Sequence, residues 1–292
     1  MFLLYSYNVF SLQDEVKKYE RYGDAFFHER DFFRAITFYK LALIDAAEDS
    51  QKYVFTKKIA DSFFSAARYD NALSYYKLSE DFASHPKDKG ELCSIIGTNY
   101  FLNKQYAFAR ERFALCLENY KNVIDTSSIY YYQGFAHFFD NEYEKAQTNF
   151  ELVVHDHELS APANAITKEL REFRPKRKSR AFAALLSVVP GLGQLYTEHY
   201  TEAALAFGLN AFFGFLSYDY FRKSQEISEY GYMNFAIFTS AGLTLYSANI
   251  YGAALSAKRY NQAAEQRLKE RIIEIHNTSS LGVTFLEAEK GN

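Results

Sequence analysis

The chain has no tryptophan, only 4 prolines and 13 glycines, two cysteines, and no excess of either charge: 33 Lys and Arg stand against 36 Asp and Glu, a formal net charge of −3 over 292 residues. Each scarcity excludes something. Near-neutrality removes the basic field that grips a phosphate backbone, so nucleic acid is not an expected partner. Two cysteines, Cys93 and Cys116, are too few for a disulfide framework, and neither stands in a CxxC or Cys/His spacing, so no structural zinc is expected. Few glycines and prolines mean few breakers. What is abundant is aromatic: 25 Tyr and 28 Phe, as long helices packed through rings would require. The size is ample for one large core or two ordinary ones.

Chemistry-bearing motifs are missing too. No Walker loop, GxGxxG, GxSxG, HExxH or EF-hand spacing occurs, so neither an enzyme nor a bound cofactor is expected. Gly191 to Gln194 has no Lys or Ser/Thr of a phosphate loop after it. The cluster His155-Asp156-His157-Glu158, with His137, holds metal-ligand types. On a helix, however, His155 and His157 point apart, and a solvated loop after the last repeat is the better account. No metal site is expected.

The first half repeats. Four segments superimpose without a gap at a period of 37 residues. Small residues recur at Gly23, Ala60, Gly97 and Gly134, and twelve positions on come Ala35, Ala72, Ala109 and Ala146. Aromatics keep the same step: Phe32, Tyr69, Tyr106 and Tyr143 precede those alanines, and Tyr39, Tyr76, Phe113 and Phe150 follow them. Apolar positions at helical spacing flank the polar turns Glu29-Arg30-Asp31, Arg68, Asn103-Lys104-Gln105 and Asp140-Asn141-Glu142, so each unit reads as two antiparallel helices. The small residues are expected where the two backbones approach, and the aromatics between neighbouring hairpins.

The runs Gly23-Phe26 and Ala35-Tyr39-Ala42 carry the G-x2-[FY] and A-x3-[FY]-x2-A pattern, and over residues 15 to 156 the chain resembles the tetratricopeptide repeat family. Its units are three residues longer than that family's usual 34, an excess placed around Ala46 to Gln51, Ser84 to Lys89 and Tyr120 to Thr126. His137 stands where the other units have Phe26, Phe63 and Tyr100. The resemblance implies a solenoid whose first helices line a groove for a protein segment. Phe27, Phe64, Phe101 and Phe138 form a ladder at the 37-residue step, which the resemblance puts on the groove side beside Asp24, Asp61, Thr98 and Phe135. Packing between adjacent first helices is the alternative for those phenylalanines. Glu20 and Asp24 occupy positions where the family's clamp on a C-terminal carboxylate needs Lys and Asn, which disfavours that mode of binding.

After residue 173 the solvent changes. A basic run, Arg174 to Arg180, leads into three apolar segments: Ala181 to Tyr196, Ala203 to Phe221, and Tyr232 to Ala257. The second and third are long enough for a bilayer, though Asn210, Ser217, Asn234, Ser240, Ser247 and Asn249 dilute them. The first must break at Pro190-Gly191-Leu192-Gly193-Gln194, where proline lacks a donor and glycine permits non-helical dihedrals. Pro190, Gly191, Gly193 and Gln194 are expected to form a membrane turn. Small residues of the third segment would let helices approach closely. Together with Tyr196, Asn210, Ala248-Asn249-Ile250-Tyr251-Gly252-Ala253 and Tyr260-Asn261, this break resembles a group of uncharacterised bacterial membrane proteins that carry a P-G-x-G-Q-x-Y hairpin after helical repeats. In this chain Thr197-Glu198 replaces the group's glycine after the tyrosine. The resemblance implies an architecture and a bacterial source, and no activity.

The expectation is therefore an all-α chain. Residues 1–12 read as a leader-like start without a basic n-region, 13–173 as an α-solenoid of four hairpins, 174–260 as a membrane-embedded helical region, and 261–292 as a polar helical tail ending in the apolar stretch Val283 to Leu286. The leader puts the repeats in the periplasm; the basic run favours the cytoplasmic face of a bacterial membrane. The functional expectation is a non-catalytic scaffold, anchored through residues 181–257 in the lipid bilayer and binding a protein partner, with homo-oligomers compatible. The alternative is a soluble all-α structural subunit of an envelope assembly with a C-terminal oligomerisation bundle. A third reading is a small-molecule or lipid-binding protein with its cavity between the repeats and the hydrophobic helices.

Overall fold

A computed structural model describes residues 2–226 and 229–279, with side chains from 13 to 225 and from 231 to 279. Among the described residues it holds thirteen α-helices and no strand, in two compact units, residues 1–171 and 172–292. Val283 to Leu286 lies outside the described residues, as does Met1; the rest of the apolar start is the first turns of α1.

The first unit is four hairpins: α1 (Phe2–His28) with α2 (Phe32–Asp45), α3 (Asp49–Ser65) with α4 (Tyr69–Phe82), α5 (Pro86–Leu102) with α6 (Tyr106–Tyr120), and α7 (Thr126–Phe139) with α8 (Tyr143–Glu151). A thirteen-residue helix, α9 (Ser160–Glu172), follows. The three extra residues of each unit are mostly absorbed into α3 and α5, which run to 17 residues each, and at the third junction into the link 121–125.

Every hairpin turns the same way, on a left-handed residue that is never glycine: Arg30, Ala67, Lys104 and Asn141, at φ 54 to 62°, again 37 residues apart. Each donates its N–H to the carbonyl three residues back (Phe27, Phe64, Phe101, Phe138). The next N–H reaches five back, to Phe26, Phe63, Tyr100 and His137. This paired closure satisfies the last carbonyls of the first helix. The second helix then starts on Asp31, Arg68, Gln105 or Glu142, of which Asp31 caps with its own side chain on Arg34 N at 3.0 Å.

The register glycines have a different reason from the one expected. A Cβ on Gly23 would sit 2.4 Å from the Tyr39 ring, one on Gly97 2.5 Å from Phe113, and one on Gly134 3.0 Å from Phe150. What approaches the small residue is thus a ring from the second helix of the same hairpin, not its backbone, and these aromatics fill the hairpin interior. Ala35, Ala60, Ala72, Ala109 and Ala146 are all fully buried. Between hairpins, Lys40 of α2 lies over the rings of Phe63 and Tyr75, and one period on Lys77 of α4 lies over Tyr100. Arg110 reaches from α6 to Asp140 and to Ala136 O.

Cys93 and Cys116, given no role by their spacing, form a disulfide between α5 and α6, both fully buried. Gly97 faces Phe113 across this antiparallel pair, so four residues earlier on α5 meets three residues later on α6.

The second unit holds α10 (Arg180–Leu186), α11 (Leu192–Tyr196), α12 (Tyr200–Glu226) and α13 (Glu229–Thr278). The chain breaks at Pro190-Gly191 as expected, between α10 and α11. The third apolar segment and the polar tail as far as Thr278 are one 50-residue helix, in which Leu268, Ile272, Ile273 and His276 are buried, so this part of the tail is more than a solvated arm. The membrane assignment is overturned: no helix among the described residues is long and apolar enough to cross a membrane. Polar residues such as Glu202, Asn210, Ser217 and Asp219 interrupt α12 too often. The bilayer anchor at residues 181–257, the membrane turn and the location at a bacterial membrane are withdrawn with it.

Candidate functional site

The expected groove residues divide into two groups. Phe27, Phe64, Phe101 and Phe138 each meet the first aromatic of the second helix in their own hairpin, Phe32, Tyr69, Tyr106 and Tyr143, at centroid distances of 5.6 to 5.7 Å. They close the turn like a clasp. Phe101, Phe138 and Phe135 are buried in this packing, whereas Phe27 and Phe64 are half-buried. Burial leaves the last two hairpins without ladder side chains that a partner could touch.

Asp24, Asp61 and Thr98 are part-exposed on α1, α3 and α5. Asp24 accepts from the Tyr39 hydroxyl at 2.7 Å, and one period on Asp61 accepts from the Tyr76 hydroxyl at 2.8 Å. Lys58 of α3 bridges to α1 with its ammonium 2.7 Å from Glu20 and 2.8 Å from Asp24, and Lys57 lies 3.0 Å from Asp61. A continuous charged row thus runs across the first helices of hairpins one and two. In hairpins three and four it stops: Tyr gives way to Phe113 and Phe150, and Asp to Thr98 and Phe135.

Burial pushes the Tyr39 and Tyr76 phenols up, and the carboxylates beside them push further, so both are neutral donors throughout the working pH range. Tyr53, partly buried and under the negative charges of Asp88, Glu91 and Asp61, is pushed up to about 12. Burial works against ionisation of Asp24, but the bonded Lys58 and Tyr39 outweigh it and hold the carboxyl below its ordinary range. Lys58 is opposed by burial as well, and its two carboxylates more than compensate, so its pKa is raised. The chemistry is that of fixed charges. No nucleophile stands beside a base in this row.

Of the candidate metal-ligand histidines, His157 and His137 make local structural contacts. His157 Nδ1 accepts from Leu159 N at 3.1 Å, and its Nε2 faces Asp125, the residue that caps α7 on Ser127 N and Ser128 N. His137 Nδ1 lies 2.5 Å from Glu142. Among the described residues no three His, Cys, Asp or Glu gather as metal ligands would.

In the second unit the P-G-x-G-Q residues meet Asn249. Its Oδ1 accepts from Gly191 N at 3.3 Å and Gln194 Nε2 at 3.1 Å, while its Nδ2 donates to Ser187 O at 3.0 Å. Gln194 and Asn249 are buried, and the arrangement satisfies backbone groups freed by the break. Gly191 has φ +88° and its missing Cβ faces Ala203 O at 2.5 Å; a Cβ on Gly193 would stand 2.1 Å from Ser187 Oγ. Lys178 and Asn261 exchange two hydrogen bonds, and the Lys178 ammonium sits over the rings of Tyr196 and Tyr260. Glu198, after the turn, takes a left-handed φ of 65°. The motif is therefore a protein-packed turn.

Sequence reasoning missed Lys57, Lys58 and the tyrosine hydroxyls. The signal was there: Tyr and Asp occur together in units one and two and disappear together afterwards.

Fold and site together define an all-α helical-repeat chain. No family model matches it, and no curated protein does. Among solved structures, one described as BtubC (BKLC) from P. vanneervenii is 12% identical, with 68% of this chain and 86% of that one covered at a TM-score of 0.41. A Rap protein complexed with Competence and Sporulation Factor is 15% identical over 91% and 76% of the two chains, at a TM-score of 0.43. The Rap conjugation gene regulator of the plasmid pLS20, in complex with the Phr* peptide, is 16% identical over 94% and 78%, also at 0.43. At these values the likeness concerns the arrangement of helices and says nothing of what this chain binds.

Proposed function

We propose that the chain is a non-catalytic protein-interaction scaffold, and that a partner segment docks along the first helices of hairpins one and two. One observation carries the reading. Glu20, Asp24, Lys58 and Asp61 are part-exposed charges on neighbouring helices, with Asp24 and Asp61 held by the buried Tyr39 and Tyr76 hydroxyls and Lys58 paired to Glu20 and Asp24. Charges held before binding lose little side-chain entropy on meeting a partner. Three carboxylates against Lys57 and Lys58 leave a small negative excess, which suits a segment carrying a basic side chain. Phe27 and Phe64, half-buried at the ends of the same helices, add apolar edges to the row.

The test uses the full chain. Peptides selected from a displayed random library are measured against it by fluorescence anisotropy. Asp61→Lys should weaken their binding about tenfold, the loss of one charge-assisted contact, while Lys58→Glu, which adds to the negative excess, should not weaken it, with circular dichroism unchanged for both. Equal binding to both well-folded variants refutes the docking row.

A further inference from the structure

Only three registers of the repeat carry one residue type in all four units. Two of them are explained by packing within the hairpin: the phenylalanines from Phe27 to Phe138 close the turns, and the alanines from Ala35 to Ala146 are fully buried. The third is leucine, at Leu41, Leu78, Leu115 and Leu152. These are not core residues, since each is 36 to 50% exposed. The first three stand on α2, α4 and α6, and Leu152 caps the end of α8. On α2 the Tyr39 hydroxyl reaches Asp24 of α1, and Leu41 follows two residues on, about 200° round the helix. The leucine thus turns away from the first helix of its own hairpin, which carries the charged row.

An exposed leucine standing singly needs no explanation, but four at a fixed step do. Helix propensity does not require them. The register just before, also exposed, reads Lys40, Lys77, Ala114 and Glu151, all good helix formers that cost less in water. The positions beside the leucines vary with the unit, and in the middle of the row they are acidic. Asp81 stands three residues after Leu78, Glu118 three after Leu115, and Glu111 four before it, so each lies next to a leucine on one helix face. All three carboxylates are exposed, and none makes a hydrogen bond or ion pair among the described residues. The other charges of the row are committed within the chain: Lys40 and Lys77 lie over rings of the next hairpin, and Glu151 is bonded to Arg171 and Gln147.

We propose that the leucine row is a second docking surface, and that its occupant is an amphipathic partner helix whose apolar stripe is edged by Lys or Arg. Neighbouring hairpins repeat at about 10 Å, the distance between packed helices, and seven residues of an α-helix rise by nearly the same, about 10.5 Å. An apolar residue at every seventh position of the partner meets one leucine per hairpin, while its basic edge meets Asp81, Glu111 and Glu118.

The probe is a fluorescein-labelled helical peptide of about three heptads, with leucine on one face and lysine on the other; its counterpart carries glutamate in place of lysine. Both are titrated against the full chain by anisotropy. The lysine peptide should bind at least about tenfold more tightly than the glutamate peptide. Leu78→Ser combined with Leu115→Ser should weaken it about tenfold, with thermal unfolding showing an intact fold. Asp81→Lys combined with Glu118→Lys leaves the leucines in place and should reverse the preference between the two peptides. Asp61→Lys, in the charged row of the first helices, and Phe212→Ser, at an exposed ring of the second unit, should each change nothing. No binding of the lysine peptide, or a preference that survives the charge reversal, would overturn the surface. So would a loss in Asp61→Lys or Phe212→Ser equal to that of the leucine pair, by putting the peptide on the first helices or on the second unit.

Discussion

At Gly97 an added Cβ would lie 2.5 Å from the Phe113 ring, whereas at Gly214 it would meet nothing within 4 Å. One residue type answers opposite demands in the two units. In the repeats glycine makes room for a ring of its own hairpin; on α12 it leaves room that the chain itself does not use. Redundancy differs as well. The repeat unit closes four turns by one device, so each closure is one of a set. In the second unit the break between α10 and α11 is held by the buried pair Gln194 and Asn249. A defect should therefore be felt most where nothing duplicates the contact.

The sharpest way to break that comparison is Asn249→Leu, which strands Gly191 N–H, Ser187 C=O and the Gln194 amide in a buried site. We expect a loss of about 4 kcal/mol of stability in chemical denaturation, since each buried unmet group costs about 1–3 kcal/mol. Reducing Cys93–Cys116, 23 residues apart, should cost the repeat unit about 3 kcal/mol and leave the second unit unchanged in hydrogen exchange. Ala67→Gly should work the other way. Ala67 is exposed at φ 54°, and relief of the left-handed penalty exceeds the added unfolded-state entropy, for a gain of about 0.5–1 kcal/mol in thermal unfolding. Smallest is the acid response. Asp24 titrates below its ordinary value when folded, so its contribution is present above about pH 4 and is lost as pH falls through the folded value. Asp24→Asn should flatten the stability–pH curve in that window and nowhere else.

The repeat was legible because packing demands the same volumes every 37 residues, and volumes are written in residue types. The turns were legible as polar breaks, though their left-handed residues were not, since Arg30, Ala67 and Lys104 carry no signature of that backbone. The partner of each small residue was missed because Gly23 or Gly97 announces only that something is close, not whether it is backbone or ring. The pairing of Cys93 with Cys116 follows from hairpin register, which the Gly97–Phe113 facing pair already sets. The second unit misled because exposed apolar residues on α12 and α13 look like lipid contacts by composition, while their polar interruptions decide against a span. Asn249 was visible as part of a pattern, but its role needed the fold, since Gln194 lies 55 residues away. As for the candidate site, Asp24 and Asp61 could be read from the period, and Lys58 could not, because it belongs to one unit alone.

The two glycines offer the most direct test when changed in parallel. Gly97→Leu and Gly214→Leu, each in the full chain, are compared with the parent by thermal unfolding. Leucine at 97 must displace the Phe113 ring and should destabilise by about 3 kcal/mol, the upper range for overpacking a core. Leucine at 214 meets open space on a helix and should leave stability unchanged or raise it by up to about 1 kcal/mol. A clear loss at 97 with none at 214 is the predicted result. A comparable loss at both positions would mean that α12 and α13 pack closely at Gly214, and would contradict the account of the second unit.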